Sequence, residues 1–280
     1  MIPQRNLSLL SNRLARAGGR RIVEAVLERD YCLAWFLVGL SRSELREKLL
    51  FKGGTALKRC YFGDYRFSED LDFTLAEPME LDGVLAGLEG IYSDVERASG
   101  IRIQYARADR KSHQNSHTFY LRYEGPLPAV SAKEVKVDVT IREQLVCAAE
   151  DRPVLRGYAE YADLPEDAQI RAYALNEIGV EKLVALTDRA RNEPRDLYDL
   201  WFLTEEGHVD LGTLVPEIEQ KLNFRGRTRE TMTADLEKKE ARYKKLWSAR
   251  LGSQMATLPA FQDVFRAMRR ELRAANLIER

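Results

Sequence analysis

A chain of 280 residues, 45% hydrophobic and 31% charged, has the length and composition of one large or two modest soluble domains, each with its own core. Basic and acidic residues balance at 44 each, yet residues 221–280 hold 15 Lys and Arg against 7 Asp and Glu, so the remainder of the chain is acidic. The longest apolar run, Tyr31 to Leu40, is about half of the roughly 20 residues that a bilayer-spanning helix needs, and Cys32, Cys60 and Cys147 have neither the number nor the spacing of a disulfide framework or a zinc site.

The first residues carry arginines but no continuous apolar core, so a secretory signal is not expected and a cytoplasmic protein is. Over residues 20–39, Ile22, Val23, Val26, Leu27, Tyr31, Leu33, Ala34 and Leu37 recur at helical spacing and predict packing helices. Leu49-Leu50-Phe51 reads as a short strand that ends at Gly53-Gly54, where a helix over Thr55 to Tyr61 begins. A loop follows, and Asp70 to Leu75 reads as a second strand. After Pro78, the apolar positions Leu81, Val84, Leu85, Leu88, Ile91, Tyr92 and Val95 predict a helix that stops at Gly100.

Alternation at Ile101, Ile103 and Tyr105, and again at Phe119, Leu121 and Tyr123, predicts a hairpin with His113-Gln114-Asn115-Ser116 as its turn. Glu134 to Thr140 alternates as a further strand. Residues 150–170 read as loops near a domain boundary, which divides the chain into 1–165 and a helical 166–280. Asn176 is placed to cap the first helix of that part, and Pro194 fits the first turn of the next, which ends by Gly207. Helices near 212–222, 228–248 and 258–278 complete it.

The chemistry concentrates at two places in the first part. Gly53 and Gly54 open a helix, so backbone N–H groups there can face an anion with no side chain in the way, and Thr55 adds a hydroxyl. Lys52 and Lys58 are near enough in sequence to assist. In the strand that follows, Asp70 and Asp72 share one face while Leu71, Phe73 and Leu75 share the other. Two such carboxylates repel unless a cation lies between them, and hard oxygen ligands suit Mg²⁺ (or Mn²⁺). Asp138 shares a strand face with Lys136 and Thr140. It joins the pair as a third ligand if its strand is a neighbour in matching register; otherwise it is a surface aspartate.

Further on, Lys182 and Arg189 are seven apart, the spacing that puts two cations on one helix face within reach of phosphates. The alternative is an ion-pair lattice among Glu181, Asp188, Arg189 and Arg191. Near the C-terminus Lys238, Arg242 and Lys245 form a basic stripe if residues 238–245 are helical, with Tyr243 and Trp247 spaced to pack or to stack on a base.

The strings GGTAL, RFSEDLDF, VKVDVT, EKLVAL and RDLYDLW, spread over residues 45–205, resemble the AbiEii/AbiGii-type, MenT-like nucleotidyltransferase toxins of bacterial toxin–antitoxin and phage-defence systems. The broader superfamily has Gly-Ser where this chain has Gly53-Gly54-Thr55. The resemblance implies an α/β (α+β) fold: a nucleotidyltransferase-type mixed sheet flanked by helices, then a helical domain that completes the nucleotide site and carries a basic surface. It implies transfer of NMP from an NTP to an RNA acceptor, the tRNA 3′ end, with Mg²⁺ or Mn²⁺ on Asp70, Asp72 and Asp138, and an antitoxin protein as partner. It carries Lys182 and Asp196 over as activity-essential residues, with Asp199 beside them. Transfer to a small molecule such as an aminoglycoside, or to a protein side chain, is the competing enzyme reading, and a non-catalytic binding module is the third.

Overall fold

The structure, a computed structural model, describes residues 1–17, 19–110, 114–128 and 131–279. The chain divides into two compact units, one of Met1–Glu143 and Ala149–Tyr173, the other of Gln144–Ala148 and Ala174–Arg280.

In the first unit the strands are β1 (Leu49–Lys52), β2 (Leu71–Leu75), β3 (Arg102–Ala108), β4 (Ser116–Glu124), β5 (Lys133–Thr140), β6 (Glu150–Pro153) and β7 (Gln169–Ala172). Among the described residues they form one mixed sheet in the order β3-β4-β5-β2-β1-β7-β6. β1 runs antiparallel to β2 and parallel to β7, and β2 runs parallel to β5. The alternation seen in sequence is what the sheet sorts: Leu71, Phe73, Val135, Val137 and Val139 are buried, while Asp72, Lys136 and Asp138 between them are half-buried.

Helices α2 (Glu24–Ser41) and α4 (Leu81–Ser99) pack with the sheet, and α1 (Gln4–Arg16) packs on α2. The Tyr31–Leu40 run is a buried stretch of α2, where Gly39 lets α4 come so close that a Cβ there would lie 2.7 Å from Val95 Cγ2. Among the described residues no helix is long and apolar enough to cross a membrane. Between β1 and β2, α3 (Gly53–Ala56) continues as a π-helical turn over Leu57–Tyr61. The β3–β4 hairpin forms as expected, although His113 of its expected turn lies outside the described residues. β6 and β7 fall in the segment expected to be loops, and β7 carries the first unit's sheet past residue 165.

The second unit is built from α5 (Leu175–Thr187), α6 (Pro194–Glu205), α7 (Val215–Phe224), α8 (Met232–Glu237), α9 (Glu240–Leu251) and α10 (Phe261–Ala274). Pro194 occupies the first turn of α6, where a missing N–H costs nothing. Asn176, expected as a cap, lies inside α5, which starts one residue earlier behind an extended Ala174 and has no side-chain cap. The expected helix over 228–248 is broken, because Lys238 and Lys239 form a turn between α8 and α9.

Candidate active site

Three adjacent strands of the first unit set the acidic residues in a row. Lys52 on β1 is opposite Asp72 on β2, and Asp72 is opposite Asp138 on β5. Thr118 on β4 continues the row. The condition on Asp138 is met, since β2 and β5 are neighbours and the two aspartates are register partners, about 4.8 Å apart as adjacent strands are. Asp70 immediately precedes β2. Because Leu71 pairs with Val137, Asp70 falls level with Lys136, whose ammonium lies 3.1 Å from Asp138 Oδ2. Burial pulls the Lys136 ammonium down, but attraction to Asp138, Asp70 and Asp72 outweighs it and holds the group above its ordinary value.

The glycine turn packs directly on this row. Gly53 has φ +77°, and a Cβ there would lie 2.7 Å from Asp72 Oδ2, so both backbone and space demand glycine. A Cβ on Gly54 would collide with the Arg66 guanidinium. Thr55 departs from expectation: it is buried, and its hydroxyl donates to the Asp70 carbonyl at 2.5 Å, which fastens α3 to the residue before β2 and leaves no hydroxyl facing outward. Lys58 departs too. Its buried ammonium donates to the carbonyls of Gly63 and Tyr65 and to the Tyr158 hydroxyl at 3.0–3.1 Å and lies over the Phe67 ring, and burial brings its pKa down to about 8.

The donor set is one of hard carboxylate oxygens, with Asp72 and Asp138 in register, so these residues fit a hard divalent cation in chemistry. Among the described residues, however, no three His, Cys, Asp or Glu side chains are gathered into a coordination geometry.

In the second unit the Lys182 ammonium lies between two carboxylates, 2.7 Å from Asp196 Oδ1 and 2.7 Å from Asp199 Oδ2, and all three side chains are buried. Arg191 adds Nε to Asp196 Oδ2 at 2.6 Å. Burial works against the charged Asp196, yet Lys182 and Arg191 prevail and hold its carboxyl down at about 2. The expected pairing of Lys182 with Arg189 on one helix face does not form. α5 ends at Thr187, so Arg189 lies beyond it and bonds Asp235 at 2.8 Å. An ion-pair lattice does exist, but it joins separate elements instead of running along one helix.

Lys238, Arg242 and Lys245 are exposed, but Lys238 stands in the turn before α9, which leaves Arg242 and Lys245 on the helix itself. Tyr243 and Trp247 are core residues. Trp247 donates to the Pro259 carbonyl at 2.9 Å and meets the Phe261 ring edge-on, so neither aromatic is presented for stacking. Sequence reasoning assigned no role to Lys136 or Arg66 and did not foresee the Lys182–Asp199 pair. Lys136 was detectable from its place on Asp138's face of β5. Arg66, which meets Gly54 from a loop 12 residues away, was not.

Residues 35–267 match a family model described as nucleotidyl transferase AbiEii toxin, type IV TA system. In fold the chain is similar to MenT4, a nucleotidyltransferase toxin from Mycobacterium tuberculosis H37Rv, with 18% identity, a TM-score of 0.63, and 97% of this chain and 90% of that one covered. It is also similar to the structure titled "Crystal structure of putative nucleotidyltransferase from H. pylori", with 19% identity, a TM-score of 0.58, and 92% and 100% covered. A comparison with curated protein sequences gives no match.

Proposed function

The chain belongs to the AbiEii nucleotidyl transferase toxin family and is a nucleotidyltransferase, and from that premise we propose that it moves a nucleoside monophosphate from an NTP to the 3′ end of tRNA. The transfer releases pyrophosphate and blocks translation, and a cognate antitoxin protein is its partner. The observation that carries the reading is the register of Asp72 with Asp138 beside Asp70, with the glycine turn packed on the same carboxylate.

Asp70, Asp72 and Asp138 hold the metal, Mg²⁺ or Mn²⁺. When bound, it polarises the α-phosphate and neutralises the charge that develops on the leaving pyrophosphate. Asp138 is also placed to take the proton of the acceptor hydroxyl. Gly53 and Gly54 offer backbone N–H groups to the triphosphate, and the glycines keep side chains out of its way. Thr55 and Arg66 fix the turn that presents them. Lys182 and Asp196 enter by family resemblance. The exposed cations Lys238, Arg242 and Lys245 are the RNA-binding candidates, consistent with the basic excess of residues 221–280.

The test is to incubate the protein with each labelled NTP, divalent metal and total tRNA, with an aminoglycoside and a protein mixture as competing acceptors. Label on tRNA that is lost in Asp138→Asn supports the proposal. Label only on a small molecule or on protein overturns the RNA acceptor, and label on nothing overturns the transfer itself.

A further inference from the structure

Carboxylates brought together on one side of a sheet repel one another, and a cation beside them offsets that repulsion. The fold sets one against Asp138. Lys136 stands two residues before Asp138 on β5, so both side chains leave the same face. Its ammonium donates to Asp138 Oδ2 at 3.1 Å, and the pairing of Leu71 with Val137 brings Asp70, the residue just before β2, level with it. The other lysine on this face, Lys52, has its ammonium 5.4 Å from the centroid of the Tyr173 ring.

We propose that the Lys136 ammonium is a resident counter-ion of the Asp138 carboxylate and that a divalent cation must displace it to bind. Lys136 thereby sets the metal affinity of the active site. The inference rests on the metal reading given above.

The ammonium and a metal compete for the same lone pairs. The Asp138 oxygen that accepts the ammonium's hydrogen bond is one that a metal needs as a ligand, and two cations crowded onto the same carboxylate repel. Metal binding therefore breaks the Lys136–Asp138 bond. A hydrogen bond between charged groups has a strength that corresponds to about ten- to a hundred-fold in an equilibrium constant.

Lys136→Met tests this in the full chain, with Mn²⁺ as the probe and no nucleotide present. Calorimetry is expected to show Mn²⁺ binding about tenfold or more tighter than in the wild type. Thermal unfolding in EDTA should begin at a lower temperature, because Asp138 has lost its paired cation, and added Mn²⁺ should raise it by more than in the wild type. Lys136→Arg, which keeps the charge, is expected to follow the wild type. Lys136→Gln replaces the Met variant if that protein does not fold. Equal or weaker Mn²⁺ binding in the uncharged variant overturns the proposal while leaving the metal site standing. Failure of the metal reading looks different: Asp72→Asn then leaves Mn²⁺ binding unchanged in both backgrounds, or no binding is seen in either, and the proposal falls with it.

Discussion

Lys182→Ala removes an ammonium that two buried carboxylates share. Arg191 remains on Asp196, 2.6 Å away, but Asp199 loses the Lys182 contact at 2.7 Å and has no solvent exposure of its side chain. Breaking a buried ion pair on one side costs about 3–5 kcal/mol, a large part of the roughly 5–15 kcal/mol that holds a domain folded. A direct phosphate contact by the same lysine contributes about 1.5–3 kcal/mol, or ten- to a hundred-fold in nucleotide use. Both effects lower activity, so the single variant does not separate them. Lys182→Met combined with Asp199→Leu does, because it removes one charge of each sign from the cluster. Urea unfolding is expected to show a strong loss of stability in Lys182→Ala and recovery of at least about half of it in the pair, while NTP labelling stays low in both if the lysine serves the nucleotide. Lys244→Ala is the exposed control. Lys221 does not serve, since it is buried with its ammonium 2.6 Å from Glu177. A Lys182→Ala protein that unfolds at the wild-type urea midpoint refutes the clamp, and wild-type labelling by the stable pair refutes the nucleotide role.

The same cluster predicts a pH dependence. The Asp196 carboxyl is held at about 2 in the folded chain against 3.8 for a free side chain, so its contribution, about 2–3 kcal/mol, is fully present above about pH 4 and is lost as the pH falls through about 2. Acid unfolding of Asp196→Asn should lack that component, and an unchanged acid limb contradicts the assignment. Gly53→Ala should cost about 1 kcal/mol from its left-handed backbone and more from the collision with Asp72, with transfer lost while circular dichroism stays native; an active Gly53→Ala enzyme would falsify the turn's role. Changing Lys238, Arg242 and Lys245 to Ser should flatten a log–log salt slope of about −2 to −3 for tRNA binding and leave NTP binding alone. If the slope is unchanged, tRNA is held elsewhere.

Local signals were legible in the sequence and long-range ones were not. The glycine turn and the alternation of Asp72 with its apolar neighbours are short patterns whose physics acts over a few residues, and the structure reproduces them, with Asp70 just ahead of β2 where the expected strand included it. Asp138 could only be conditional, because register between β2 and β5 is a property of strands more than 60 residues apart. β6 and β7 escaped since four-residue strands such as Glu150–Pro153 and Gln169–Ala172 carry little alternation. The end of α5 at Thr187 and the turn at Lys238–Lys239 have no glycine or proline to mark them. The burial of Lys58 and Lys221 was not legible, because their partners Tyr158 and Glu177 lie 100 and 44 residues away.

Nucleotide transfer by Asp72→Asn, side by side with the wild type, bears most directly on the carboxylate site. With labelled NTP, Mg²⁺ and total tRNA, the wild type is expected to label the RNA, and the variant is expected to fall to background while its thermal unfolding in EDTA is unchanged or shifted upward, since one of the repelling charges is gone. Wild-type labelling by a folded Asp72→Asn protein would contradict the assignment of the active site to this face of the sheet.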